Sequence, residues 1–116
     1  MKHKAFESFR QMALSLPGMI ESISYGTPSF KTNKKLIARF HEDGESLVIK
    51  MDFETRDFLL QVNPSIYFIT DHYRNYPYVL VKINNVELEE LKGHLQRVWK
   101  SIATKKQLKE YEEKSL

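Results

Sequence analysis

The sequence predicts an α+β domain, with helices packed on one face of a single antiparallel β-sheet. Helical periodicity marks both ends of the chain, whereas its middle consists of short apolar runs joined by turn-forming residues. The short turns between the apolar runs favour antiparallel strands. Packing the helices on one face of the resulting sheet would bury the apolar side chains of both the helices and the strands. A chain of 116 residues fits one such domain, spanning 1–116, since no linker or repeat divides it.

The first helix is predicted over residues 3–16. An apolar stripe at helical spacing supports it, formed by Phe6, Phe9, Ala13 and Leu16. Pro17 ends the helix, because proline disfavours helical geometry in the residue before it.

Residues 22–40 predict two strands joined by a turn at 31–34. Gly26 and Pro28 fall inside the first of these strands, which should therefore be an edge strand or an irregular one. The second strand should have one apolar face, formed by Leu36, Ala38 and Phe40.

The next turn, residues 41–45, contains Asp-Gly, which is a strong hairpin signal. It leads to a third strand over 46–50, in which apolar side chains point to both faces. Asp52 then predicts the N-cap of a helix over 53–62. The side chains that this helix should bury are Phe58, Leu59 and Val62.

Two further strands, 66–70 and 78–83, flank a polar loop at 71–77. A long helix follows from residue 86 and should lie against the sheet. Its apolar stripe consists of Leu88, Leu91, Leu95, Val98, Trp99 and Ile102. Gly93 within this helix predicts a close contact, because glycine is otherwise costly there.

A short helix is predicted over residues 105–113. Thr104 and Gln107 have the spacing of a capping box at its start. Most of this helix is charged, and Leu108 and Tyr111 should anchor it to the core.

Composition limits the class of partner and the compartment. The net charge is +3 with a pI near 9.1, which permits an anionic partner without requiring one. The chain has no cysteine, so disulfide and thiolate chemistry are excluded, as suits a reducing cytosol. The N-terminus lacks the apolar segment of a secretory signal, and no window is apolar enough to span a membrane. We therefore expect a cytoplasmic protein with no membrane partner.

Sequence motifs give no support for a metal, a cofactor or catalysis. The histidines lie far apart and never at i, i+4 spacing: His3, His41, His72 and His94. No serine lies in a nucleophile elbow, and no glycine-rich phosphate loop occurs. We expect a protein that is not an enzyme and that binds neither a metal nor a cofactor.

Positive charge and aromatic side chains form the remaining candidate site. One run of cations, free of acids, consists of Lys31, Lys34, Lys35 and Arg39. A second group, in the polar loop, consists of His72, Tyr73, Arg74 and Tyr76. Such loops can place cations on phosphates and rings on bases. The alternatives are that the lysines protect a strand edge from aggregation and that the tyrosines cap the core.

Several segments resemble the MmcQ/YjbR family. They are S-Y-G-T-P-S-F-K at 24–31, K-x-I-A-R at 35–39, H-Y-R-N-Y-P-Y-V-L-V at 72–81 and W-K-S-I-A-T-K-K at 99–106. The resemblance covers nearly the whole chain, from the first helix through Lys106. It implies a fold similar to CyaY, the bacterial frataxin, with a twisted antiparallel sheet and helices on one face. It also implies DNA binding through a double-wing motif.

The resemblance extends to individual positions. Those that match the family's pattern are Tyr25, Gly26, Pro28, Phe30, Lys31, Lys35, Arg39, Arg56, His72, Tyr73, Pro77 and Val79. Tyr78 stands where many relatives have tryptophan, which keeps an aromatic ring. The frataxin-like shape also suggests iron, but Glu7 is the only acid of the first helix, so we expect no iron site.

Together these features predict a small DNA-binding protein with two wings, the first hairpin and the 71–77 loop. Its phosphate-binding residues would be Lys31, Lys34, Lys35, Arg39 and Arg74, with His72, Tyr73 and Tyr76 at bases or sugars. A net charge of +3 predicts weak, salt-sensitive and largely non-specific binding. The alternative is a small-ligand or protein-interaction module, its pocket lined by Tyr25, Thr27, Ser29, His72 and Tyr73. We expect a monomer or a weak homodimer.

Overall fold

The computed structural model describes residues 2–114, with side chains from residue 4 onward. Its helices are α1 (Lys2–Leu14), α2 (Phe53–Val62), α3 (Leu88–Ile102) and α4 (Lys105–Lys114). Its strands are β1 (Met19–Ser24), β2 (Thr27–Thr32), β3 (Lys35–Phe40), β4 (Ser46–Lys50), β5 (Tyr67–Phe68) and β6 (Tyr78–Lys82). These strands form one antiparallel sheet in the order β1-β2-β3-β4-β6-β5. The predicted α+β class and single antiparallel sheet are confirmed.

The prediction of two strands within residues 22–40 is wrong, because this stretch contributes to three. Tyr25 and Gly26 form a tight turn between β1 and β2, with φ of 54° and 79°. Positive φ at both central residues is typical of the two-residue turns that join antiparallel strands. β2 is therefore an inner strand and not an edge. Pro28 fits there because the pairing of β2 with β3 begins one residue later, at Ser29.

A β-bulge alters the predicted apolar face of β3. Lys31 pairs with Leu36 and Phe30 with Ala38, which leaves Ile37 as an extra residue. Ile37 and Ala38 are both buried in the core, whereas Leu36 is only partly buried. The bulge thus replaces Leu36 by Ile37 on the core side.

Helix α2 begins as predicted but buries different residues. The carboxylate of Asp52 accepts a hydrogen bond from the Thr55 backbone N–H at 2.9 Å, which confirms the N-cap. Phe58 and Val62, however, are 61% and 56% exposed, so the prediction that they are buried is wrong. The buried side chain of α2 is Arg56.

The main core lies between the helices and one face of the sheet. The predicted stripe of α1 is buried there, and so is most of the stripe of α3, although Leu88 is exposed. The indole N–H of Trp99 donates to the carbonyl of Pro17 at 2.9 Å, which joins α3 to the end of α1. The predicted capping box also forms, since Thr104 and Gln107 each accept the other's backbone N–H.

Among the described residues, no α-helix packs on the opposite side of the sheet, and we call that side the helix-free face. Its side chains alternate with the core residues of the same strands and include Ser29, Arg39, Val48, Tyr78 and Leu80. A small second cluster forms on it from Val48, Leu80 and Tyr73. This face therefore presents polar and aromatic groups beside a limited apolar patch.

Gly93 makes no close contact, so that prediction is also wrong. Apart from its chain neighbours and the backbone of its own helix, a Cβ atom placed on Gly93 would meet no heavy atom within 4 Å. Gly93→Ala should therefore raise the free energy of unfolding by about 0.5–1 kcal/mol through helix propensity alone. Urea denaturation measures this change. As a control, Gly26→Ala should lower stability, since Gly26 has φ +79°. A neutral or destabilising Gly93→Ala would contradict the open surroundings of this residue.

Candidate functional site

The 71–77 loop lies on the helix-free face and begins with one turn of 3₁₀-helix, Asp71–Tyr73. The Tyr73 ring is buried against Val48 and Leu80. Its centroid lies 5.9 Å from that of Tyr78, which extends the aromatic contact along the face. The loop is therefore folded onto the sheet through Tyr73.

Arg39 holds the hydroxyl group of Tyr73. Its Nε and Nη2 atoms both donate to the Tyr73 oxygen, at 3.2 and 2.6 Å. Its Nη1 atom donates to Thr27 Oγ1 at 3.3 Å and to Glu42 Oε1 at 2.5 Å. Arg39 is one of the cations predicted to bind phosphate, but it is only 3% exposed. Its guanidinium is occupied by these contacts, which suit it to positioning Tyr73.

Charge pairing keeps Arg39 and Glu42 ionised. Burial opposes the charge of the Arg39 guanidinium, but hydrogen bonds to Glu42 and Tyr73 outweigh burial and raise its pKa. The hydrogen bond from Arg39 in turn lowers the pKa of Glu42. The ring of Tyr25 lies 5.1 Å from the guanidinium carbon and covers it from the outside.

Arg56 holds the other end of the 71–77 loop from helix α2. Its Nη1 atom donates to the carbonyls of Tyr73 and Tyr76, at 3.0 and 2.9 Å. Its Nη2 atom donates to the carbonyl of Arg74 at 3.3 Å. The carbonyls of Tyr73 and Tyr76 also accept backbone N–H groups, from Tyr76 at 3.1 Å and from Tyr78 at 2.7 Å, so Arg56 adds a second donor to each of them. One buried guanidinium thus fixes the path of the loop backbone.

The outer surface of the 71–77 loop carries two exposed rings. His72 and Tyr76 lie with their centroids 5.9 Å apart and their planes inclined by 30°, a stacked arrangement. Tyr76 is 54% exposed. Arg74 is also exposed and pairs with Asp71 at 2.6 Å. Such a ring pair, held on a fixed loop, can accept a planar group against it.

The predicted cationic run lies at the turn between β2 and β3. Lys34 and Lys35 are exposed there, and Lys31 alternates with buried Phe30 and so points to the helix-free face. Asn33 ties this turn to the helices, because its side-chain N–H group donates to Gln107 Oε1 at 3.1 Å. The turn is therefore fixed to the end of the sheet.

The structure separates the predicted site residues into two groups. Around one cavity of about 280 Å³ it brings together the predicted residues Tyr25, Arg39, His72 and Tyr73. The rest of the lining, His41, Glu42 and Thr70, was not predicted. Lys34 and Lys35 lie at the opposite end of β2 and β3, about 20 Å away along a six-residue strand. Thr27 and Ser29 do not line the cavity.

Two cations of the helix-free face, Lys50 and Lys82, were not predicted as site residues. Lys50 and Lys82 alternate with core residues and point to this face, where their ammonium groups lie 5.2 and 5.7 Å from the rings of Tyr78 and Phe68. The alternation within β4 and β6 was the available signal for both lysines. Lys50 pairs with Tyr78 and Lys82 with Ser46, so each end of the β4–β6 pair carries one cation on this face.

A histidine whose side chain is only 9% exposed, His94, lies on the other side of the sheet, where helix α3 contacts β5. The Tyr67 hydroxyl donates to Glu90, and His94 Nε2 lies 2.7 Å from the same oxygen. Because a carboxylate only accepts, Tyr67 must donate to Glu90 and His94 Nε2 must donate to Tyr67. His94 Nδ1 is thus left unprotonated, and it is buried without a hydrogen-bond partner among the described residues.

The position of His94 predicts a pH-dependent stability. Burial, with a smaller contribution from Arg97, lowers its pKa below the usual 6.5, although Glu90 opposes this shift. The unfolded chain therefore takes up a proton at a higher pH than the native state, so acidification below about pH 6.5 favours unfolding. We expect the free energy of unfolding to fall between about pH 7 and pH 5.5. In His94→Gln that fall should be smaller, as urea titrations at each pH would measure; an unchanged slope would contradict the assignment.

The described part of the chain contains neither a cluster of metal ligands nor a membrane-spanning helix. Among its side chains, no group of three histidine, aspartate or glutamate residues is placed to hold a metal ion. The side chain of His3 lies outside the described residues. Within residues 2–114, no helix has the length and apolar character needed to cross a bilayer.

Comparison with known proteins identifies the family. A family model described as YjbR matches residues 14–101, which is most of the chain. The chain belongs to the YjbR family. The match contains both loops of this YjbR domain and both arginines that hold the 71–77 loop. It confirms the resemblance seen in the sequence motifs.

A solved structure shares the fold of this YjbR domain. It is the crystal structure of the Deinococcus radiodurans protein DR2400, whose domain is described as DUF419. The two chains superpose with a TM-score of 0.71 at 24% identity, over 90% of this chain and 86% of that one. At this identity the similarity establishes the fold alone. A search of curated proteins gave no match.

Proposed function

We propose that this YjbR domain is a non-enzymatic DNA-binding protein that contacts DNA through the helix-free face. The exposed ring pair of His72 and Tyr76 carries the proposal. Rings held outward on a rigid loop stack on bases, and a stacked base must be unpaired. The proposal therefore favours single-stranded over double-stranded DNA.

The cations of the same face supply the contacts to phosphate. Lys31, Lys34 and Lys35 lie at or near the β2–β3 turn, Lys50 lies at the neighbouring end of β4, and Arg74 lies on the 71–77 loop. Lysine and arginine contacts to phosphate are independent of sequence and weaken as salt displaces them. With a net charge of +3 on the whole chain, binding is weak and largely non-specific.

Arg39 and Tyr73 have a positioning role in this proposal. Both are buried, and each is engaged with the other. They hold the loop that carries His72 and Tyr76, and do not themselves reach the DNA. The 71–77 loop thus acts as a fixed platform, and the β2–β3 turn remains the one projecting wing of the predicted pair.

Fluorescence anisotropy with labelled oligothymidylate and a duplex of equal length tests the proposal. We expect binding at about 50 mM salt that weakens strongly by about 300 mM, with the single strand bound more tightly. Lys34→Glu combined with Lys35→Glu should lower the affinity about tenfold. The matched control, Lys92→Glu with Lys109→Glu, reverses two exposed charges on the helices and should have little effect. Absence of binding at low salt, or equal loss in both double variants, would refute the proposal.

The second candidate, a small-ligand module, is favoured by one observation. Tyr25, His72 and Tyr73 converge with Arg39 on the cavity of about 280 Å³. Convergence of polar and aromatic groups in a concavity is typical of ligand pockets. Lys34 and Lys35 lie at the far end of the strands, so a ligand in this cavity would bind equally well to their double variant.

A further inference from the structure

Strand β1 forms one edge of the sheet, and among the described residues β2 is its only partner strand. Ser24 pairs with Thr27 across the two-residue turn, so the backbone N–H and C=O groups of Ser24 face β2. These groups alternate along an antiparallel strand, so those of Glu21 and Ile23 face outward. No described backbone group is bonded to them. The other edge strand, β5, has only two residues, so β1 is the edge with room for a further strand.

The outer side of β1 has few of the features that protect edge strands. Proline, a bulge or an outward charge usually interrupts an exposed edge, and β1 contains no proline and pairs with β2 without a bulge. Its only charged residue is Glu21, whose carboxylate is held by Arg10 of α1 at 3.0 Å. Two apolar side chains are widely exposed, Ile20 by 65% and Ile23 by 68%. Such an edge favours pairing with another strand.

The edge fits a second copy of this chain. Pairing β1 antiparallel with itself gives a two-fold axis normal to the sheet, so the same surface is used on both copies. Ile20 pairs with Lys31 and so lies on the helix-free face, whereas Ile23 lies on the helix side. Each face of the junction would therefore gain an apolar side chain from both copies. Because Arg10 holds the carboxylate of Glu21 from two sides, charge repulsion between the copies is reduced.

We propose that two copies of the chain associate by antiparallel pairing of β1 with the same strand of the second copy. The two sheets then form one continuous sheet, and both helix-free faces lie on the same side of it. A single strand of DNA long enough to cross the junction would reach both 71–77 loops, which raises its apparent affinity. That consequence rests on the proposed DNA binding, whereas the pairing of the strands does not.

Sedimentation velocity of the full chain, without DNA, measures the association. Two short strands bury less surface than a standard stable interface of about 1,600 Å², so we expect a dissociation constant of about 0.1–1 mM. The mean mass should therefore rise towards that of a dimer between about 10 μM and 1 mM protein. A chain that stays monomeric over this range would overturn the proposal, and it would do so if the edge serves a strand from a different protein.

Amide hydrogen exchange locates the contact. At high protein concentration the N–H groups of Glu21 and Ile23 should exchange more slowly, because they would donate across the junction. The N–H groups of Ser22 and Ser24 should be protected at every concentration, since they face β2 within one copy. Protection that appears only outside β1 would place the interface elsewhere and contradict the proposal.

Two substitutions at Ile23 should weaken the association at least about tenfold. Ile23→Lys places a charge on the edge of each copy, and Ile23→Pro removes an N–H group that β2 does not use. The matched control is Val62→Lys, which adds the same charge at an apolar side chain of α2 that is 56% exposed. It should leave the dissociation constant within about twofold. Equal losses in Ile23→Lys and Val62→Lys, or dimerisation of Ile23→Pro like the parent, would overturn the proposal.

Failure of the dimer and failure of DNA binding give different results. Anisotropy at micromolar protein reports on the monomer, because this concentration lies well below the expected dissociation constant of the dimer. Oligothymidylate bound by a chain that never dimerises would refute strand pairing and leave the DNA-binding proposal intact. A dimer that binds no DNA would do the reverse.

Discussion

Replacing Arg56 with methionine should lower the free energy of unfolding by about 3 kcal/mol, because the Arg74 carbonyl would lose a charged donor worth about 1.5–3 kcal/mol. The carbonyls of Tyr73 and Tyr76 would lose one of their two donors and keep a backbone N–H group, so their contribution is smaller. Methionine keeps the apolar stem but cannot donate to the carbonyls of Tyr73, Arg74 and Tyr76. The 71–77 loop should also open more often, which amide hydrogen exchange at Tyr73 and Tyr76 would show. Urea denaturation gives the change in stability.

The matched control for Arg56→Met is Asp57→Ala. It removes the ion pair of Arg56 with the neighbouring acid, whose side chain is 61% exposed. Exposed ion pairs contribute little, so this variant should lose less than about 0.5 kcal/mol. Equal stability of the two variants would show that the carbonyl contacts of Arg56 are not what fixes the loop.

Replacing both exposed rings, His72→Ala with Tyr76→Ala, should lower the affinity for oligothymidylate by about tenfold to a hundredfold. Stacking of one base on an aromatic side chain is worth about 1–3 kcal/mol, and the ring pair offers one platform. The rings carry no phosphate contact, so the dependence of affinity on salt should keep its slope. Lys34→Glu with Lys35→Glu should instead reduce that slope. Anisotropy titrations at several salt concentrations measure both quantities.

Phe58→Ala is the control for the ring variant. Phe58 is 61% exposed on helix α2 and lies outside the 71–77 loop. Its replacement should leave the affinity for oligothymidylate unchanged. A similar loss in Phe58→Ala and in the double ring variant would mean that the loss is not specific to the loop.

The elements with strong periodicity could be predicted from the sequence. Some features depend only on residues that are close in sequence, so the local pattern was sufficient to predict them. They are the apolar stripe of α3, the N-cap at Asp52 and the Asp-Gly turn. The Tyr25-Gly26 turn was missed because only its second residue has the usual preference for positive φ. Tyr25 adopts a φ of 54° because the pairing of β1 with β2, which the turn joins, holds it there.

The candidate site was harder to predict, because its organisation depends on contacts distant in sequence. His72 and Tyr73 were identified as site residues, yet one ring is exposed and the other buried, which depends on the sheet beneath them. Arg39 contacts a residue 34 positions away, and Arg56 contacts residues 17 to 20 positions away. No local pattern distinguishes these buried arginines from exposed cations such as Lys34 and Arg74.

Mapping the DNA contact on the protein tests the central claim most directly. Oligothymidylate would be titrated into ¹⁵N-labelled protein at low salt, and the amide shifts would be assigned. We expect shifts at residues 31–35 and 71–77, with the outer surfaces of α3 and α4 unaffected. Shifts confined to the helices, or an absence of shifts at both loops, would contradict DNA binding through the helix-free face.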